Sequence, residues 1–426
     1  FPSASAHHFL ATTPAGAPLV LPATTGPHFA SSSSSQDSVY QQCKEDLAFA
    51  VKWMKPVDQL PGGRAPRAAA YTLLSEVYIS MKNYDEAIKA ASAVIDNPNF
   101  RLMTERFGVL KNFTFNGYTY QGAAEPWGDV YWDLFVEGNF NWKTGNHEAI
   151  WNAEFDVSAK GGGGLDISSN GGDFNLERNW GGPLKWLAKD KNGVVDWLQD
   201  TLSGRPVGFL FGTEYSNTTI WKYKGDWDRD IRNSKYNIQR EYYWTNPSSA
   251  FYGQLLAADN MGDPSSLYAM TTPSFKKAVS AVHHGLFTDA TSGKKHDNGH
   301  IYKDWYIMRL PDTYLLRAEA YYLKGNPEKA AEDINAIRNR VHATPVGAGD
   351  VNLDLILDER ARELFMEDFR FNTLMRMGKL VEYLMKYNPV VIKNGWQLDD
   401  HLNKFPIPNS EIEANTGSKL EQNPGY

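Results

Sequence analysis

One helical hairpin occurs twice in this chain, and the repeat limits what it can fold into more than any other feature. In the first copy, residues 65–98, Leu73, Val77 and Tyr78 share one side of a helix at i, i+4, i+5 spacing. Lys82-Asn83-Tyr84-Asp85 interrupts that helix. A second one opens at Asp85-Glu86-Ala87-Ile88, with carboxylates in the first turn, where the helix dipole favours them. Ala87, Ala90, Ala91 and Ala93 are small enough to let two antiparallel helices approach closely, and Asn97-Pro98 ends the run because proline cannot continue a helix.

The second copy, residues 310–342, repeats the skeleton. Tyr71, Tyr78 and Ala87 recur as Tyr314, Tyr321 and Ala330, with steps of 7 and 9 residues in both copies. Leu315, Leu316, Ala318 and Ala320 fill its first helix, Ile334 and Ile337 its second, and Gly325-Asn326-Pro327 makes the turn. This is tetratricopeptide spacing: an aromatic, another aromatic, then alanine after the turn. Arg317 stands where that pattern has an aliphatic residue, so the second copy is imperfect. Two ordinary αα-hairpins with alanine seams are the plainer alternative.

A net charge of −7 without a Lys/Arg block argues against nucleic acid as a partner. No stretch is long and apolar enough for a membrane-spanning helix. The single cysteine, Cys43, excludes an intramolecular disulfide and a cysteine-based zinc site, and reads as a packed thiol. Aromatics are the unusual component, with 13 Trp, 22 Tyr and 21 Phe, many of them in Gly/Asn/Asp-rich stretches where a core role is hard to assign.

Residues 1–35 read as irregular and have neither the charged nor the apolar region of a secretory leader. A helix is expected through about Lys55, with Asp37 as its N-cap and Val39, Leu47, Ala50 and Val51 facing inward. From residue 101 to 304 periodicity is patchy, with strands expected at 147–155, 208–224 and 237–244. So long an irregular region makes better sense draped over a helical scaffold than standing alone. In the charged run 357–380, Glu359 and Glu363 flank Arg360 and Arg362 at spacings that allow pairing along one helix, and the run reads equally well as a solvated face. The proline-rich tail is expected to be an extended strap.

Familiar catalytic patterns are missing. There is no Gly-x-Ser-x-Gly elbow, no phosphate-cradling loop with lysine and no His-Glu-x-x-His. Asp226-x-Asp228-x-Asp230 resembles the opening of a calcium loop, but Ile231 holds the glycine position and Asn237 that of the last glutamate, so an EF-hand is rejected and only a looser calcium site stays open. No cofactor, metal or catalytic residue is assigned.

Several blocks in order resemble the SusD-like (RagB/SusD) family of Bacteroidetes outer-membrane lipoproteins. They are Tyr40-Gln-Gln-Cys-Lys-Glu-Asp-Leu-Ala-Phe-Ala50, the alanine-rich repeat, Asp133-Leu-Phe135 with Asn146-x-Glu148-Ala-Ile150-Trp151, and Asp230-Ile-Arg-Asn233. Residues 306–340, Glu359-Arg-Ala-Arg-Glu-Leu364 with Glu367-Asp-Phe-Arg370, Phe405-Pro-Ile-Pro408 and Gln422-Asn-Pro-Gly-Tyr426 complete the series. The resemblance implies a mainly α fold: a tetratricopeptide-like scaffold (36–100 and 305–385), a large irregular ligand-binding region with a few short strands (101–304), and a C-terminal strap (386–426), together a single domain from 36 to 426. It also implies non-catalytic capture of an oligosaccharide or polysaccharide at the cell surface, and delivery to a SusC-like TonB-dependent barrel in the outer membrane. The family's lipidated cysteine and first helices have no counterpart here, and Ala15-Gly16-Ala17-Pro18-Leu19-Val20 resembles a loop normally inside the chain, so a front end is expected to be missing.

Sugars offer an apolar C–H face and a rim of hydroxyls, which flat aromatic rings and amide, carboxylate or guanidinium groups can grip. The candidates are Tyr118, Tyr120, Trp127, Asn179, Trp180 and Trp186, with Trp180 foremost because it lies between Asn179 and Gly181-Gly182-Pro183. Trp132 and Trp151, inside structural-looking blocks, are assigned to packing. A peptide-binding repeat scaffold and a secreted glycoside hydrolase with two carboxylates in a cleft are the alternatives.

Overall fold

The computed structural model describes residues 16–17, 30–115, 125–155, 187–196, 208, 210–279 and 303–426. Helix α1 (Gln36–Trp53) packs on the hairpin of α2 (Arg67–Ser80) and α3 (Tyr84–Ile95). A second hairpin, α4 (Leu310–Leu323) and α5 (Pro327–Arg340), follows the irregular region and packs against the first, and α6 (Leu353–Leu364) packs on α4. After these come four short helices, α7 (Arg370–Arg376), α8 (Leu380–Tyr387), α9 (Pro389–Asn394) and α10 (Asn409–Ala414), and the irregular region holds single helical turns such as Val130–Asp133 and Leu267–Thr271. Among the described residues the strands form two-stranded antiparallel ladders, of which the longest joins β1 (Ala149–Ala153) to β2 (Trp305–Arg309). The fold is mainly helical with a few short strands, as the repeat implied.

The alanine seam does what its size allows. Ala69, Ala70, Ala87 and Ala91 are fully buried between α2 and α3, and Ser75 Oγ donates to the Ala87 carbonyl at 2.9 Å across the same contact. Thr72 and Thr313 meet at 2.8 Å and join α2 to α4. Arg317 is accounted for by its neighbours: its guanidinium grips Asp333 on α5 at 2.7 and 2.9 Å and donates to Ser92 on α3 at 2.8 Å. The departure from the repeat pattern thus ties the hairpins together. The cap of α1 lies two residues before the expected one, with Ser35 Oγ accepting from the Ser38 amide at 3.2 Å and Asp37 in the first turn.

Both hairpin turns need a left-handed residue at the same repeat position, four after the second tyrosine. Gly325 supplies it in the second copy (φ +84°) and Lys82 in the first (φ +59°). A side chain there costs about 1 kcal/mol relative to glycine. Lys82→Gly should therefore raise the stability to urea by about 1 kcal/mol and Gly325→Ala should lower it by a similar amount. An ideal Cβ on Gly325 meets nothing within 4 Å, so the second change reports backbone strain alone.

Three expected extended stretches differ. Residues 214–228 form helical turns, Glu214–Asn217 and Thr219–Asp228, the latter broken at Tyr223–Gly225, and within 237–244 the strand is Ile238–Gln239 alone. Aromatic-rich sequence makes strand only beside a partner edge, and here the rings are satisfied locally: Trp221 is buried with its indole N–H on the Ser216 carbonyl at 2.8 Å. The tail is not a continuous strap, since α9 and α10 interrupt it. Pro389 and Asn388 suit a helix start, because the proline lacks an N–H that would go unpaired there anyway, and the Asn388 side chain accepts from the Val390 and Val391 amides.

Candidate functional site

The irregular region is pinned to the scaffold by buried charge. Arg309, at the end of β2, reaches Glu148 at 2.9 Å, Glu363 at 3.0 Å and Glu367 at 2.6 Å. Arg340 reaches Glu148 and Glu363, each at 2.5 Å. Arg232, from the irregular region, reaches Asp230 at 2.6 Å, Glu359 at 2.8 Å and Glu363 at 3.1 Å. Arg338 joins Glu359 to Asp226, Arg362 pairs with Glu359, and Lys277 with Glu367. All of these side chains are at least nine-tenths buried, and the six cations named face six carboxylates. The run 357–380 is therefore not a solvated face. Glu359 does pair with Arg362 along the helix, whereas Glu363 takes its partners from three other segments. The same network spends the Asp226 and Asp230 carboxylates on arginine, which tells against the looser calcium site.

Against this frame two loops are clipped together. Asp129 accepts from the Trp132 amide at 2.8 Å, from Ser234 Oγ at 2.7 Å and from Asn237 Nδ2 at 2.9 Å. That clip sets Trp127 edge-on to Tyr236, with ring centroids 4.9 Å apart, and places the Lys235 ammonium 5.2 Å from its ring. Asp230 caps the Ile231–Asn233 turn through the Arg232 amide, and Asn233 Nδ2 donates to the Trp227 carbonyl at 2.7 Å. Trp227 carries the Arg240 guanidinium 4.8 Å from its ring centre, and Arg240 donates to Asn233 Oδ1 at 2.7 Å and to the Asn217 carbonyl at 2.9 Å. Burial lowers the Arg240 pKa to about 10, which leaves it charged at neutral pH.

The result is a groove of about 650 Å³ in which Trp127, Trp227 and Tyr243 are half-buried rings, with Lys235, Arg240 and Glu241 among the polar groups between them. Glu125 and Lys235 pair at 2.8 Å on an exposed rim. Half-buried rings with hydrogen-bonding groups between them suit a ligand that is apolar on its face and hydroxylated around its perimeter.

Of the residues singled out from the sequence, Trp127 lies in this groove. Tyr118, Tyr120, Asn179, Trp180 and Trp186 lie outside the described residues. Trp132 and Trp151 pack as expected: Trp132 is buried and stacked on Phe113, and Trp151 donates to the Gly63 carbonyl at 3.1 Å. Sequence reasoning missed Trp227, Lys235, Arg240 and Tyr243. A signal existed in the density of aspartate and asparagine around Trp227, since such residues build tight turns that hold a ring at the surface.

Residues 147–426 match the SusD family, and residues 68–97 match a tetratricopeptide repeat. The chain belongs to the SusD family. Over 122 residues it is 36% identical to Starch-binding protein SusD of Bacteroides thetaiotaomicron, an alignment covering 28% of this chain and 21% of that protein. The matched segment thus spans about a fifth of that curated relative. In fold the SusD-family chain is similar to surface glycan-binding protein A from Bacteroides fluxus, with TM-score 0.63, 22% identity, and 99% of this chain and 76% of that one covered. It is likewise similar to surface glycan-binding protein A from Bacteroides thetaiotaomicron in complex with laminarihexaose, with TM-score 0.60, 18% identity, and 92% and 72% covered. Within the SusD-family match lie Glu148, Arg309, Arg340, Glu359, Glu363 and Glu367, so several of the blocks that carry the resemblance also build the buried network.

Proposed function

We propose that this protein captures an oligosaccharide or polysaccharide at the cell surface without altering it, and passes it to a SusC-like TonB-dependent barrel in the outer membrane. The observation that carries the reading is the Trp127–Trp227 groove, with rings for the sugar's C–H faces and Lys235, Arg240 and Glu241 for its hydroxyls. Membership of the SusD family supports it, as do the names of the relatives, which bind starch or surface glycans. The barrel partner and a lipid anchor follow from the family resemblance. Tyr118, Tyr120, Asn179, Trp180 and Trp186 belong to the same reading as further ligand contacts.

Affinity electrophoresis in gels containing laminarin or starch, with product release assayed alongside, tests it. Trp127→Ala should weaken binding of the retained glycan by about 2 kcal/mol, roughly thirtyfold, as loss of a central aromatic contact does. Trp53→Ala, which removes an exposed indole from α1 outside the groove, should leave binding unchanged. Retention of peptides but of no glycan would favour the repeat-scaffold alternative, and released sugar the hydrolase.

A further inference from the structure

A second cavity, of about 1,020 Å³, opens between residues 210–221, β2 and helices α6 to α8, and shares no lining residue with the Trp127 groove. Its character is different. Phe211, Tyr215, Trp221, Phe275, Phe365 and Tyr387 wall it with rings, two pairs of which, Tyr215 with Tyr387 and Phe275 with Phe365, lie 4.3 Å apart between centroids. At the mouth Phe211 is 41% and Ile307 40% exposed. Space of this size, walled mostly by apolar side chains, suits a compact apolar ligand.

One cation on its wall lacks a carboxylate. Arg370 donates to the Leu357 carbonyl at 2.6 Å and to the Tyr215 hydroxyl at 3.2 Å, with its guanidinium 5.3 Å from the Tyr383 ring, and pairs with no carboxylate within 4 Å among the described residues. The nearby acids are committed elsewhere. Tyr215 donates to Asp358 at 2.5 Å, Asp368 is held by Arg360, and Glu367 by Arg309 and Lys277. Asp358 still attracts Arg370 across the shared Tyr215 hydroxyl. A guanidinium bonded directly to neutral oxygens at the edge of an apolar space nonetheless keeps part of its attraction for an anion, since charge-assisted bonds are the strong ones.

We propose that this cavity is a second ligand site, taking a flat apolar body that bears one carboxylate, with the body between the aromatic walls and the carboxylate on Arg370. The probe is 2-naphthoate, titrated into the whole chain by calorimetry and by quenching of Trp221 and Trp305, which line the cavity. One saturable site is expected. The uncharged analogue 2-naphthalenemethanol should bind about tenfold more weakly, the usual worth of one charge-assisted bond. Arg370→Gln should weaken naphthoate by a similar factor and leave the alcohol unchanged. Ile307→Glu, which puts a carboxylate at the mouth of the cavity, should repel naphthoate more than the alcohol. No saturable binding, equal affinity for acid and alcohol, or naphthoate binding indifferent to both variants would overturn the proposal. Glycan retention by the same variants separates the two sites: it stays intact if the cavity and the groove act independently, whatever the naphthoate result.

Discussion

Glu363→Gln will lower the folding stability by about 3–5 kcal/mol, a large part of what a domain possesses. The carboxylate is fully buried and neutralises Arg340 at 2.5 Å, Arg309 at 3.0 Å and Arg232 at 3.1 Å. Glutamine keeps the volume and removes the charge, so three guanidiniums lose a counter-charge where water cannot replace it. The exposed pair Lys324–Asp85 makes the comparison, because Lys324→Ala should cost less than about 1 kcal/mol. Urea unfolding followed by far-UV circular dichroism measures both. A cost for Glu363→Gln as small as that of the surface change would mean that water reaches the network. The same variant should weaken glycan retention, since Arg232 links Glu363 to Asp230 on the floor of the Trp127 groove.

Acid will act on the same centre. Burial alone would raise the Glu359 and Glu363 carboxyls, but it is outweighed by Arg232, Arg362 and Arg338 around the first and by Arg340, Arg309, Arg232 and Lys277 around the second. Both are held below the 4.5 of an ordinary glutamate. A carboxyl depressed in the folded state binds fewer protons there than in the unfolded chain. Its stabilisation is complete above the unfolded value and is lost as the pH falls through the folded one. Asp304 and Asp312 have the opposite sign: burial pushes each up to about 6, so stability increases as the pH falls from above 6 towards the ordinary aspartate value. Thermal melts across the acid range should show Tm level or rising to about pH 5 and then dropping steeply. A steady decline beginning at neutral pH would mean that the network carries protons it should not.

The two hairpins were legible because everything that makes them is local. Tyr71, Tyr78 and Ala87, and their counterparts 243 residues on, set helix faces by periodicity alone. Small residues in the seam then permit one close approach. The turn at Gly325-Asn326-Pro327 follows from backbone preference, and Lys82 meets the same demand at a cost. The groove was legible only in part. Trp127 could be named as one aromatic of a Gly/Asn-rich insert, but Trp227 and Tyr243 read as strand or loop residues until Asp129 and Asn237, 108 positions apart, are seen to clip two loops together.

Sequence alone determined the helical scaffold, the interruption of it by an aromatic-rich region, and the family blocks in their order. Tertiary structure decided whether the charges of residues 357–380 face water. An arginine and a glutamate carry the same letters on a solvated face and in a core, and what distinguishes them is the partner supplied from afar. Glu363 finds Arg309 from 54 residues away and Arg232 from 131, and Arg309 finds Glu148 from 161. Charge burial is favourable only when those partners arrive together, so it is a property of the assembled fold and not of any stretch of chain.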